Sequence, residues 1–118
     1  IDNGIQYNNW ECLHNKKTNE YVIRCVHTKQ KICVMRMKET ALMILKLLKD
    51  NEPLTTSIAQ SIFDYDRKYE QSYNDVELYS NKGDMFEGRL QKAELLMETY
   101  QNEVRNLLKQ YRGGKKVF

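Results

Sequence analysis

At 118 residues, with 41% apolar, 30% charged and 10% aromatic side chains, the chain has the length of one domain and is too apolar for a disordered segment. Nineteen basic against sixteen acidic residues leave a formal charge of +3, too mild by itself to name a polyanionic partner. The longest apolar run, residues 41–48, is interrupted by Lys46 and falls far short of the roughly 20 residues of a membrane span; a cytoplasmic protein is expected or, since the chain starts at Ile1 rather than methionine, the soluble part of a membrane-anchored one.

Strand signals come first. Segments 10–14, 21–28 and 31–37 are rich in β-branched and aromatic residues and are joined by Asn15-Lys16-Lys17-Thr18-Asn19 and Thr28-Lys29-Gln30, which predicts a three-stranded antiparallel sheet over residues 1–37. Alternation puts Tyr21, Ile23, Cys25 and His27 on one side of the middle strand and Cys33, Met35 and Met37 on one side of the third. A turn over 28–30 would set Cys25 opposite Cys33, and a first hairpin pairing Cys12 with Cys25 and Trp10 with His27 would line the three cysteines across one face.

The period then changes. Ala41, Leu42, Leu45 and Leu48 predict a helix over 38–50, which Asn51-Glu52-Pro53 stops. A second helix, capped by Thr55 or Thr56, carries Ile58, Ile62, Tyr65 and Tyr69 at helical spacing. Residues 73–84 are polar and end in Ser80-Asn81-Lys82-Gly83-Asp84, which predicts a loop. Beyond it Phe86, Leu90, Ala93, Met97, Tyr100, Val104, Leu107 and Tyr111 alternate steps of four and three before Gly113-Gly114, one unbroken apolar seam. A helix over 84–112 would be roughly 43 Å long at 1.5 Å per residue, so it must project, pair with another chain or break, with Gly88 its weak point. The expected architecture is a single α+β domain over 1–118, sheet first and a helical bundle over 38–118.

The chemistry-bearing residues cluster early, as Cys12-x-His14, Cys25-x-His27 and Cys33. No CxxC knuckle presents two thiolates to a metal, so no metal or other cofactor is expected; the thiols are read as buried and inert, or as a Cys25–Cys33 disulfide in an oxidising compartment. No glycine-rich phosphate loop, nucleophile elbow or paired-carboxylate pattern is present. No reaction and no small-molecule substrate are therefore assigned.

Two surfaces remain. With the seam facing inward, Asn102, Arg105, Asn106, Lys109 and Arg112 fall on the outer face of the last helix, followed by Lys115 and Lys116, and from 104 to 118 there is no acid. Amides can read adenine, arginine can bridge guanine and lysines can neutralise phosphate, so this stripe is a candidate for the major groove of double-stranded DNA. The seam itself, at Phe86, Leu90, Met97 and Tyr100, is a candidate interface for a homodimer or a protein partner.

The order of elements adds a resemblance. A small antiparallel sheet, a leucine-rich helix over 37–51 ending at Asn51, and a second helix over 53–63 ending on Phe63 resemble the winged-helix domains of the OmpR and ToxR type, where an aromatic closes the second helix. The resemblance implies a winged helix-turn-helix transcription regulator with residues 100–112 as its recognition helix. Residues 64–99 would then be an insertion, and residues 116–118 at most the first strand of the wing. The alternative is an interaction or secretion-accessory module working through the long C-terminal helix.

Overall fold

The computed structural model describes residues 5–7, 9–50 and 52–111. It is an α+β structure: strands β1 (Ile5–Tyr7), β2 (Trp10–Asn15), β3 (Glu20–Cys25) and β4 (Lys31–Met35), then helices α1 (Lys38–Lys49), α2 (Ser57–Tyr79) and α3 (Glu87–Gln110). A short 3-10 turn, Asp84–Phe86, leads into α3. The three strands expected from the sequence are present and antiparallel, and β1 adds a fourth at the edge, giving the order β1-β2-β3-β4.

The register differs from the expected one by two residues. Trp10 stands opposite Cys25, Cys12 opposite Ile23, and Ile23 opposite Cys33. The first turn is therefore the tighter one, closed with Asn19 at φ 56. A shift of two keeps each side chain on its face, so Cys12 and Cys33 flank Ile23 rather than meeting Cys25. Two strands apart is about 10 Å, beyond disulfide reach, and all three cysteines are free.

Cys12, Ile23 and Met35 on one face of the sheet pack against Ala41, Met43, Ile44, Leu45 and Leu47 of α1 and Ala59 and Ile62 of α2. Leu107 and Leu108 of α3 close the same core, so sheet and helices share one interior. α1 has no capping side chain of its own. The two amides just ahead of it are held from another helix: the carboxylate of Asp66 on α2 accepts from the backbone N–H of Arg36 at 3.0 Å and of Met37 at 2.9 Å. The Arg36 guanidinium donates to the carbonyl of Thr18 at 2.5 Å and lies 4.5 Å over the Tyr73 ring, tying the β2–β3 turn to α2.

The expected loop over 73–84 is largely helix: α2 runs to Tyr79, and only residues 80–83 turn. The reason is a second seam. Ile58, Ile62, Tyr65, Tyr69, Ser72, Val76 and Tyr79 step along α2 by four and three, matching the seam of α3. Tyr65 lies 6.3 Å from Tyr100 and Tyr79 5.5 Å from Phe86; fourteen residues forward on α2 answer to fourteen back on α3, which is an antiparallel pairing in one register. The small pair Ser72 and Ala93, both buried, falls between these layers. Residues 64–99 are thus the arms of a helical hairpin, and α3 passes through Gly88 without a break. The hairpin projects: the radius of gyration is 15.7 Å against about 13.5 Å for a compact chain of this length. Among the described residues no helix is long and apolar enough to cross a membrane.

Candidate functional site

The outer face of α3 carries the expected DNA-facing stripe, but not as a free basic surface. Asn102, Asn106 and Lys109 are exposed. Arg105 is engaged, its Nε donating at 2.9 Å to the Glu39 carboxylate of α1, which also accepts from Gln101 Nε2 at 3.2 Å. Within α3, Glu87, Glu94, Glu98 and Glu103 balance Arg89, Lys92, Arg105 and Lys109. Arg112, Lys115 and Lys116 lie outside the described residues.

The seam residues face α2. Phe86 and Tyr100 make the ring contacts above, and Leu90 and Met97 are half-buried on the same stripe. Beyond α1 the two helices share one further face. α1 fills the proximal half of one side of the hairpin, as Asp66 on α2 and Gln101 and Arg105 on α3 show by their bonds to it. Helical spacing carries the same side onward to the tip: Glu70, Tyr73 and Glu77 follow Asp66 on α2, and Met97, Glu94, Leu90 and Glu87 precede Gln101 on α3. Val76, Leu90 and Met97 are half-buried there, whereas Glu77, Glu87 and Glu94 are exposed; the Tyr73 ring is already covered by Arg36 and its hydroxyl accepts from Asn19 Nδ2 at 3.3 Å. This distal face therefore sets half-buried apolar side chains among exposed glutamates over about 16 Å, roughly three helical turns.

No protein-family model, curated protein or solved structure matches this chain. The functional reading rests on the geometry alone.

The charge division is sharper than the net value suggests. Residues 21–38 hold Arg24, Lys29, Lys31, Arg36 and Lys38 with no acid, whereas residues 64–84 hold six acids against three bases. The molecule has a basic sheet and an acidic hairpin. Sequence reasoning found Leu90 and Met97 as surface candidates but not the glutamates beside them; the signal was the pair of acids one seven-residue repeat apart on each helix, Glu70 with Glu77 and Glu87 with Glu94.

The cysteines and histidines do not converge. His14 stacks on Tyr21 at 4.5 Å and shares a hydrogen bond with Asn19 at 2.9 Å, while His27 meets Asn9 at 3.2 Å. Burial pushes the Cys12 thiol up to about 11 and raises that of Cys33. Cys25 differs: a hydrogen bond with Thr28 holds it below the usual thiol range.

Proposed function

We propose that the domain is a protein-interaction module that lays a basic amphipathic helix of a partner along the distal face of its α2–α3 hairpin. The observation that carries this reading is the row of half-buried Val76, Leu90 and Met97 among the exposed Glu77, Glu87 and Glu94, on the side of the hairpin that α1 occupies nearer the sheet. A docked helix would complete there the three-helix packing that α1 gives the proximal half. Acidic rims select a partner with lysine or arginine flanking its apolar stripe and speed its approach. Three free thiols suit a reducing compartment, and the cytoplasm is part of the same proposal.

The competing reading, a winged-helix regulator with Asn102, Arg105, Asn106 and Lys109 in the major groove, is favoured by the exposure of Asn102, Asn106 and Lys109. Two features weigh against it. Arg105 would have to leave Glu39 to reach a base, and α2 and α3 pair antiparallel along their length, where a helix-turn-helix crosses its two helices at about 90–120°.

The test is fluorescence anisotropy with two labelled probes: a fifteen-residue Leu/Lys amphipathic helix and a random duplex DNA, each at two salt concentrations. Binding of the helix, reduced at least about tenfold by Glu77→Lys with Glu94→Lys, is the expected result. Binding of the duplex instead, with a steep salt dependence flattened by Lys109→Ala, would move the assignment to DNA.

A further inference from the structure

The side of the hairpin that α1 occupies repeats its geometry every seven residues, but not its charge. Glu39, 9% exposed at the start of α1, accepts from Gln101 Nε2 and Arg105 Nε of α3. One repeat outward, Glu94 and Glu98 hold the places of Gln101 and Arg105, and both are exposed. No base stands three or four residues from either of them on α3, so this like-charged pair four residues apart is uncompensated within its helix. From α2, the Tyr65–Tyr100 pairing brings another acid, Glu70, to the level of Leu95. Arg36, over the Tyr73 ring, is already bonded to the Thr18 and Asn19 carbonyls.

We infer, on the hairpin reading above, that Glu94 and Glu98 are specificity-determining residues: they admit beyond α1 a helix with lysine or arginine in the turn that faces them, and shut out a helix charged like α1. The outer station continues an interface the chain already uses. α1 lies along α3 in the same direction, its start bonded through Glu39 to Gln101 and the residue after its end, Asp50, bonded to Tyr111. At the equivalent places of the next repeat an amide and a guanidinium give way to two carboxylates. A second copy's α1 laid in the outer station would set its Glu39 against Glu94 and Glu98, which disfavours self-association through exchanged α1 helices. A base at that point instead bonds both carboxylates and relieves their mutual repulsion.

The experiment uses the full chain and three labelled fifteen-residue helices of one Leu/Lys sequence. The parent has lysine along its whole polar face, and the other two have glutamate in its place in the first turn alone or in the last turn alone. By anisotropy, one glutamate peptide should bind the wild-type chain at least about fivefold more weakly than the parent, and the other close to it. Glu94→Gln with Glu98→Arg writes the Gln101 and Arg105 pair into the outer repeat and should reverse that preference. Since the same peptides meet both chains, differences in their own helicity cancel, and circular dichroism checks that the variant is folded. Equal binding of all three peptides by the wild-type chain, or a preference that the variant leaves unchanged, would overturn this inference and leave the hairpin reading standing. Binding of none of the three would remove both.

Discussion

Replacing Asp66 by alanine and by asparagine separates the two things this carboxylate does. It is 6% exposed and accepts from the two backbone amides just ahead of α1. In the alanine variant the Met37 N–H, buried, loses its acceptor, which costs about 1–3 kcal/mol, and the Arg36 N–H, less buried, loses its own at about 0.5–1.5 kcal/mol. These overlap, so roughly 2–3 kcal/mol is expected. At about 2.1 cal/mol/K per residue the unfolding entropy is near 250 cal/mol/K, and the melting temperature should drop by about 8–12 °C. Asparagine keeps one carbonyl acceptor and should cost under about 1 kcal/mol. The pH dependence tells the same story. Burial holds the Asp66 carboxyl above the ordinary carboxylate range, outweighing the two amide donors that favour the anion. A raised folded value means that the folded state binds the proton more tightly than the unfolded chain. Stability from this group is therefore fully present below the ordinary carboxylate value, declines as pH rises through the raised one, and is level above it. Asparagine should remove that decline. Thermal melts by circular dichroism from acid to neutral pH measure both effects; an alanine variant that melts with the wild type, or an asparagine variant as damaged as alanine, would refute this account of the two bonds.

Three further outcomes are expected. Ile62, fully buried where α2 meets the core, should cost about 2–5 kcal/mol on change to alanine in urea denaturation, because little around it can collapse into the gap. Tyr111→Phe should cost about 0.5–1.5 kcal/mol in the same assay, since its hydroxyl donates to Asp50 at 2.6 Å and ties the end of α3 to the end of α1. Limited alkylation near neutral pH, followed by peptide mass spectrometry, should label Cys25 first and Cys12 last, as the lowered and raised thiols require; labelling of Cys12 ahead of Cys25 would contradict the packing of β2 on α1.

The sheet and α1 were legible because each carries a strong local pattern. β1 was not: a three-residue strand, Ile5–Tyr7, is too short to show alternation. The cysteine register failed for a different reason. Parity fixes which face a side chain occupies, and that held for Tyr21, Ile23, Cys33 and Met35, whereas His27 and Met37 fall outside the strands and the pairing slips between Ile23 and Arg24; only the turn fixes how far the partner strand slides, and a shift of two is invisible to parity. The loop expected over 73–84 fell to polar composition. Asn74, Asp75 and Glu77 are hydrophilic, yet Ser72, Val76 and Tyr79 continue the steps of Ile58, Ile62, Tyr65 and Tyr69; a serine at a buried position hid the period. Arg105 was expected on the outer face of the last helix, but it is bonded to α1, and no sequence rule could place Glu39, 66 residues earlier, within 2.9 Å of it.

The shared four-and-three stepping of α2 and α3 fixes more than a contact surface. A repeat of seven residues on both helices makes the arm a graduated rod, each graduation about 10.5 Å long. Gain or loss of seven residues on α2 together with seven on α3 would move the tip out or in while leaving every remaining layer matched and the glutamate rows on the same side. A change of three or four residues in one helix alone would instead turn those rows away from the line of α1. Reach and recognition are thus separable in this design: the distance at which the arm meets its partner can vary by whole repeats without altering what it presents there.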